Sequence, residues 1–324
     1  MNARRLDWDR ILAVLLISPS ILAIAVFVYA FIAWTGWASV LKWNDLLPLQ
    51  APPQFPSLKV FPPKAPLAKS PTDWLPLDNY IRLIKSDQRF QKDLENTVVF
   101  TVLFIGACLI IGLLLAVLLD QKIRGEGLFR GIYLFPMSVS FIVTGVAWRW
   151  VLTPGTEQGG AVGINLLFEK VGLGFLKNGW YTDPDIGIKA VVIAAAWQMA
   201  GYTMALYLAG LRGISEDLRE AARVDGANEW QVFRHIILPL LQPVTLSAVI
   251  ILGHISLKIF DLISSMTSPG AGFSTDVPAY YLFDTVFRGN HFARGAAIAI
   301  ILLIMVSVLV IPYLIYTTRT EVEQ

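Results

Sequence analysis

The sequence predicts an all-α integral membrane protein with six transmembrane helices and both termini in the cytoplasm. Three features point there: a shortage of charge, six long apolar runs, and basic residues gathered at alternate junctions between the runs. Of 324 residues, 55% are hydrophobic and 15% charged, against about 25% charged in an ordinary soluble domain. A hydrocarbon core about 30 Å thick needs roughly 20 apolar residues per helix. Uncharged runs of that order cover residues 11–41, 96–119, 131–148, 190–211, 236–257 and 295–318. The first follows Arg4, Arg5 and Arg10. It is about twice as long as the apolar region of a signal peptide, so it is expected to stay as span one.

Orientation follows from the basic residues, which favour the cytoplasmic end of a span. Arg4, Arg5 and Arg10 precede span one; Lys122, Arg124 and Arg130 lie between spans two and three. Arg212, Arg219, Arg223 and Arg234 lie between spans four and five, and Arg319 follows span six. Six crossings put all of these on one side. The outer loop 42–95 runs against the rule, with Arg82, Lys85, Arg89 and Lys92 near span two; long loops cross largely regardless of charge.

That loop divides in two. Residues 48–76 are rich in proline and read as an extended excursion. Residues 78–95 place Tyr80, Ile81, Leu83, Ile84, Phe90 and Leu94 among charges at roughly helical spacing, which predicts one helix on the outer interface. The organisation is therefore an N-terminal span with its Pro-rich loop over 1–75 and a main transmembrane domain over 76–324. A second outer loop, 153–189, is rich in glycine, and its Trp180 and Tyr181 suit an interfacial anchor. Arg149, between Trp148 and Trp150, is read the same way. Cys108 is the only cysteine, which rules out an intramolecular disulfide and makes it a small packing residue of span two.

The segment between spans four and five, LRGISEDLREAARVDGANEWQVFRHIILPLLQP over 211–243, is too charged to span and too patterned to be a slack linker. Ser215 can cap a helix whose first turn carries Glu216 and Asp217 against the positive pole of the helix dipole. Leu218, Ala221 and Ala222 share one face. Gly226 stops the helix, because glycine accepts positive φ at little cost. Asn228 with Gln231 makes a capping box for a second helix, and Pro239 ends or bends that helix before span five. The expected product is a helix–turn–helix with small alanines beside Glu220 and Asp225, the shape of a rigid docking knob.

These residues resemble a known pattern. Glu220-Ala221-Ala222, Asp225-Gly226-Ala227 and Ile236-Ile237-Leu238-Pro239 are similar to the EAA loop of ABC importer permeases, here over about 212–239, in the form found in the carbohydrate-uptake branch for maltose-type sugars or glycerol phosphate. Asn79-Tyr80, Asn96-Thr97, Phe129-Arg130, Phe135-Pro136 and Leu257-Lys258-Ile259-Phe260-Asp261 resemble that branch too. The turn in 267–275 departs from it, reading Ser268-Pro269-Gly270 where the usual order is nearer Gly-Gly-Pro. The resemblance covers roughly 79–316. It implies a type I importer permease fold, paired with a second permease, homologous or identical, and with two cytoplasmic ATPase subunits, each taking one coupling helix in a groove. It further implies that Glu220 pairs with a basic residue of the ATPase, that Ala221, Ala222 and Ala227 pack closely, that Gly226 makes the turn, and that Asp225 belongs to the same docking loop. An extracytoplasmic solute-binding protein would deliver cargo.

The chain has no G-x-x-x-x-G-K-[ST] phosphate loop. No cofactor of its own is expected; ATP and Mg would be bound by the partner ATPases, and the chain would be a translocation subunit rather than an enzyme. A formal net charge of +2 gives no footprint for nucleic acid, and the expected surroundings are lipid. Polar groups inside spans are costly and tend to face a cavity or another helix. Trp197, Gln198 and Tyr202 in span four offer a sugar an aromatic platform with hydrogen bonds, and Thr245 and His254 in span five join them as candidate pathway residues. Helix–helix packing explains the same residues equally well, and no second metal-spaced ligand accompanies His254. Lys258 and Asp261, at i and i+3, are expected to pair with each other. Two rival functions stay open. One is a same-fold permease for glycerol phosphate, peptides or amino acids. The other is an ATP-independent secondary transporter, which the near absence of charge inside the spans disfavours.

Overall fold

The computed structural model describes residues 8–41, 77–121, 124–156 and 159–322. The Pro-rich stretch 48–76 lies outside them, as do Arg4, Arg5 and Lys122 of the orientation argument. In chain order the helices are α1 (Trp8–Ile24), α2 (Phe31–Ser39), α3 (Asp78–Lys85), α4 (Gln88–Asp120), α5 (Glu126–Leu134), α6 (Phe141–Val151), α7 (Gly163–Lys170) and α8 (Gly187–Gly213). They continue with α9 (Glu216–Val224), α10 (Glu229–Val232), α11 (Leu238–Leu240), α12 (Gln242–Leu257), α13 (Asp261–Met266), α14 (Pro278–Phe283) and α15 (Phe292–Val322). Among the described residues, the one strand pairing joins Gly155–Thr156 to Gly160–Ala161.

Four helical segments are long and apolar enough to cross a bilayer alone: Val14–Ser39, Gln88–Asp120, Gly187–Gly213 and Phe292–Ile315. Two bent pairs bring the number to six if each pair is one span. One of these falls on the span expected over 131–148 and breaks it. The chain turns by 99° between Glu126–Ser138 and Phe141–Val151. Pro136 opens a short 3-10 turn, Val139 is extended, and the Ser140 side chain accepts from the Val143 amide to start α6 afresh. The second pair bends by 59° between Glu229–Leu240 and Gln242–Leu257, beside Pro239 and Pro243, where a bend was expected.

The helix expected over 78–95 is two. Asp87 is extended and its carboxylate accepts from the Phe90 amide, 3.1 Å away, so a new helix begins at Gln88 and runs on as α4. At 33 residues and about 1.5 Å rise per residue, α4 is longer than the hydrocarbon requires, and its polar first turns extend the span. The Lys258–Asp261 pair is absent. Both side chains are exposed, and the backbone leaves the helix at Lys258 (φ −117°) and again at Phe260 (φ −124°), which destroys the i, i+3 register. Trp180 and Tyr181 are also tied to their own chain. Both are half-buried against the core, and the Trp180 indole donates to Asn165 Oδ1 at 2.8 Å.

The chain forms two compact units, Met1–Leu83 with Leu282–Ile301, and Ile84–Tyr281 with Leu302–Gln324. In the first, Asn79 donates to the carbonyls of Ser39 (2.8 Å) and Leu41 (3.1 Å), and the Tyr80 hydroxyl bonds Ser39 Oγ at 2.6 Å. The Asn79 bonds satisfy carbonyls left open at and just past the end of α2, the Tyr80 bond holds the Ser39 side chain, and the Asn79-Tyr80 pair thus has a physical task.

The second unit is built around α8, which is buried over most of its length. Lipid is as apolar as leucine, so helices there associate through close packing and hydrogen bonds. Small residues permit it. A methyl placed on Gly112 of α4 would come 2.7 Å from the Thr203 side chain of α8, and one on Gly201 would collide with the Tyr133 carbonyl of α5. Around α8 lie two clusters. Phe100, Phe104, Cys108, Leu252 and Leu262 belong to one. Ala116, Leu119, Tyr207, Leu211, Val232 and Leu241 belong to the other, near the ends of α4 and α8.

Gly201→Ala is expected to lower the thermal midpoint of the detergent-solubilised protein, at a cost of about 1–3 kcal/mol for overpacking. Gly127→Ala, where nothing lies within 4 Å of the new methyl, should leave it unchanged or raise it. Equal midpoints for the two variants would contradict the close packing at α8.

Candidate functional site: a docking knob at the end of the central helix

The segment after α8 folds as its local sequence dictates. Ser215 Oγ accepts from the Asp217 amide at 3.3 Å and starts α9. Gly226 takes φ +86°, a value that strains any residue with a Cβ. Asn228 and Gln231 complete a reciprocal capping box at 2.9 and 2.8 Å, which starts α10. A π-helical turn, Phe233–Ile237, then leads to α11. Across the Gly226 turn Arg223 and Glu229 clasp each other through two nitrogens, at 2.8 and 3.3 Å.

Glu220, Ala221, Asp225 and Gly226 are exposed, whereas Ala222 and Ala227 are half-buried against the cluster at the end of α8. The alanines therefore divide their work. Ala221 faces outward, and the other two seat the knob on its own chain. Sequence reasoning picked out Leu218 but missed Val224 and Trp230 around them. Val224 is 87% exposed and Trp230 65%, with Leu218 exposed as well. Trp230 stacks on Phe233 at 5.8 Å, which stiffens it. An aromatic in a strongly charged segment was the available signal. Asp225, Gly226, Ala227, Gln231, Val232, His235 and Ile236 line a shallow groove of about 340 Å³ beside the turn. A solvent-facing patch of small and apolar side chains rimmed by carboxylates and arginines suits a protein partner.

Charged bonds hold the knob. Arg219 of α9 donates to Asp120 Oδ2 at 3.1 Å and to the Leu211 carbonyl at 3.0 Å. Arg212, in the last turn of α8, pairs with Glu126 of α5 at 2.6 Å. The ends of α4 and α8 and the start of α5 thus lie together, as the shared side assigned to Arg124, Arg212 and Arg219 requires.

The candidate pathway residues are not gathered into one site. Only Ile193, Trp197 and Ala209 of α8 are well exposed between Val191 and Leu211. Trp197, 43% exposed, meets Trp148 edge-on at 5.9 Å. Gln198 faces inward, donating to the Val139 carbonyl at 2.6 Å, while its Oε1 is buried without a partner. Tyr202 is half-buried against the core. Thr245 bonds the Leu241 carbonyl and the Tyr207 hydroxyl, both at 3.0 Å. His254 is half-buried in α12. The Gln198–Val139 and Thr245–Tyr207 bonds run between segments, as packing contacts do.

Residues 108–319 match the family model described as binding-protein-dependent transport system inner membrane component. A probable ABC transporter permease protein of Pyrococcus horikoshii is 39% identical over 95% of this chain and 96% of its own length. The xylose/arabinose import permease of Haloferax volcanii is 39% identical over 75% of this chain and 74% of its own. Among solved structures, a chain of a bacterial alginate ABC transporter in complex with alginate pentasaccharide-bound periplasmic protein shares the fold. Its TM-score is 0.70 at 20% identity, covering 94% of this chain and 96% of that one.

The Arg223 clasp carries a pH signature. Its hydrogen bond and its charge hold the Glu229 carboxyl below its ordinary 4.5. The clasp is therefore fully present above 4.5 and is lost as pH falls through the lowered value. Amide exchange over 222–232, corrected for intrinsic pH dependence, should stay constant through the neutral range and accelerate only in that acid window. Glu229→Gln should accelerate it at neutral pH. Exchange unaffected by the substitution would show that the clasp does not order the turn.

Proposed function

The chain belongs to the family of binding-protein-dependent transport system inner membrane components, and from that membership we propose that it is a sugar-importing permease subunit of an ABC transporter. Six spans with both termini in the cytoplasm fit the basic residues gathered where α4 and α8 end. In the type I arrangement a second, homologous permease completes the pathway, and a solute-binding protein delivers cargo at the outer face. Two ATPase subunits bind ATP and Mg, and each takes one knob.

The observation that carries the coupling role is the exposed surface of the knob: Glu220, Ala221, Asp225 and Gly226 on a turn stiffened by two helix caps and an ion-pair clasp. Such a part transmits force because it is rigid. When ATP closes the motor subunits, the knobs move with them and the spans rock between inward- and outward-open states. Glu220 bonds a basic residue of the ATPase, Ala221 allows close approach, and Ala222 and Ala227 fasten the knob to its own chain.

Cargo chemistry rests on relatives. The Haloferax permease is named for xylose and arabinose, and the fold neighbour is an alginate transporter. Trp197, standing on the exposed stripe of α8, is the platform best placed to meet a sugar ring. Gln198 and Tyr202 of α8 and Thr245 and His254 of α12 remain candidate pathway residues at separate points along the two helices. The ATP-independent alternative finds no support in a family defined by binding-protein-dependent transport.

The test is uptake of labelled mono- and disaccharides by the complex reconstituted with its ATPase and binding protein. Glu220→Ala and Gly226→Asp are expected to cut ATP-driven uptake by roughly tenfold or more while the chain remains in the membrane. Normal uptake by both variants would refute the docking role.

A further inference from the structure

One contact in the knob is not explained by docking. Arg219 sits on α9 next to the exposed Glu220 but turns inward, its side chain 18% exposed and that of its partner Asp120 19%. Its two terminal nitrogens reach different helices. One donates to Asp120, the last residue of α4, and the other to the carbonyl of Leu211, two residues before the end of α8.

Both acceptors are unusual for the same reason. An acid at a helix C-terminus sits at the negative pole of the helix dipole and is disfavoured there. The last four carbonyls of a helix lack amide partners within it; that of Leu211 has only a long bond, 3.4 Å, from the Ile214 amide. A guanidinium placed where two helices end answers both needs at once. Its planar fork can hold two acceptors in fixed directions, which an ammonium point charge cannot. Among the described residues, no other side chain of α9 hydrogen-bonds to α4 or α8.

We propose that Arg219 is a positioning residue of the transport cycle, a strut whose forked guanidinium ties the coupling helix to the ends of α4 and α8 together. Displacement of α9 is then passed to two packed spans at one point, instead of being absorbed by the Ile214–Ser215 link between α8 and α9. This rests on the importer reading above, and goes beyond it by naming the residue that converts docking into helix movement.

The experiment measures three quantities on the whole reconstituted complex: ATPase-subunit retention, ATP hydrolysis, and sugar imported per ATP hydrolysed. With Arg219→Gln, retention and hydrolysis are expected to stay within about twofold, while sugar per ATP falls about tenfold, the scale of one charge-assisted hydrogen bond. Arg219→Lys, which can keep one bond but not the fork, should fall between. Asp120→Asn, which removes charge but keeps shape and the Leu211 bond, should lower the same ratio, and it decides alone if Arg219→Gln fails to assemble. An unchanged ratio overturns the strut, as does a loss of uptake that follows weaker ATPase retention at constant sugar per ATP. A wild-type complex that hydrolyses ATP with no uptake would overturn the importer reading itself, and the strut with it.

Discussion

The structure depends on how closely other backbone can approach α8. In lipid no hydrophobic gain draws one helix to another, so association rests on contact and on hydrogen bonds. α8 obtains contact through glycine. Gly201 lies against the Tyr133 carbonyl, and Gly112 of α4 lies against Thr203. Its polar residues add bonds between segments: Gln198 to the Val139 carbonyl, and Tyr207 to Thr245 of α12. α8 is thereby a fixed axis in its unit, and whatever is attached to its end inherits that rigidity.

What is attached is a knob whose internal structure is almost wholly local. Ser215, Gly226, Asn228 and Gln231 act within three residues of themselves, through caps and a backbone preference. For that reason the helix–turn–helix was legible in the sequence, down to the capping box. Its attachment was not. Arg219 and Asp120 lie 99 positions apart, and nothing in the spacing of either announces the other. The inward turn of Ala222 and Ala227 was equally hidden, because an alanine carries no polarity to tell a docking face from a packed one.

The spans divide along the same line. Among the described residues, length and lack of charge located the four segments able to cross alone, since bilayer thickness acts on each segment alone. Bends depended on details that composition averages away. The 99° turn needed an extended Val139 and a capping Ser140 inside an uncharged run, and the start of α4 needed Asp87 to cap a helix where periodicity ran on unbroken. Lys258 and Asp261 failed to pair because a helical register was assumed through residues that leave the helix. The candidate pathway suffered from the same limit. Trp197 and Gln198 are adjacent in sequence but point about 100° apart on a helix, so one reaches open surface and the other bonds a neighbouring segment.

The central claim is that the knob and α8 move as one body, and a distance measured inside the chain tests it most directly. Cys108 is buried, so introduced cysteines at Ala209 and Leu218, both exposed, can carry spin labels with little background. Pulsed electron resonance on the assembled complex should give the same label distance without nucleotide and with ATP trapped, to within about 2 Å. A change approaching one helical turn, about 5 Å, would mean that the hinge between α8 and α9 absorbs the motion and would contradict a rigid coupling knob.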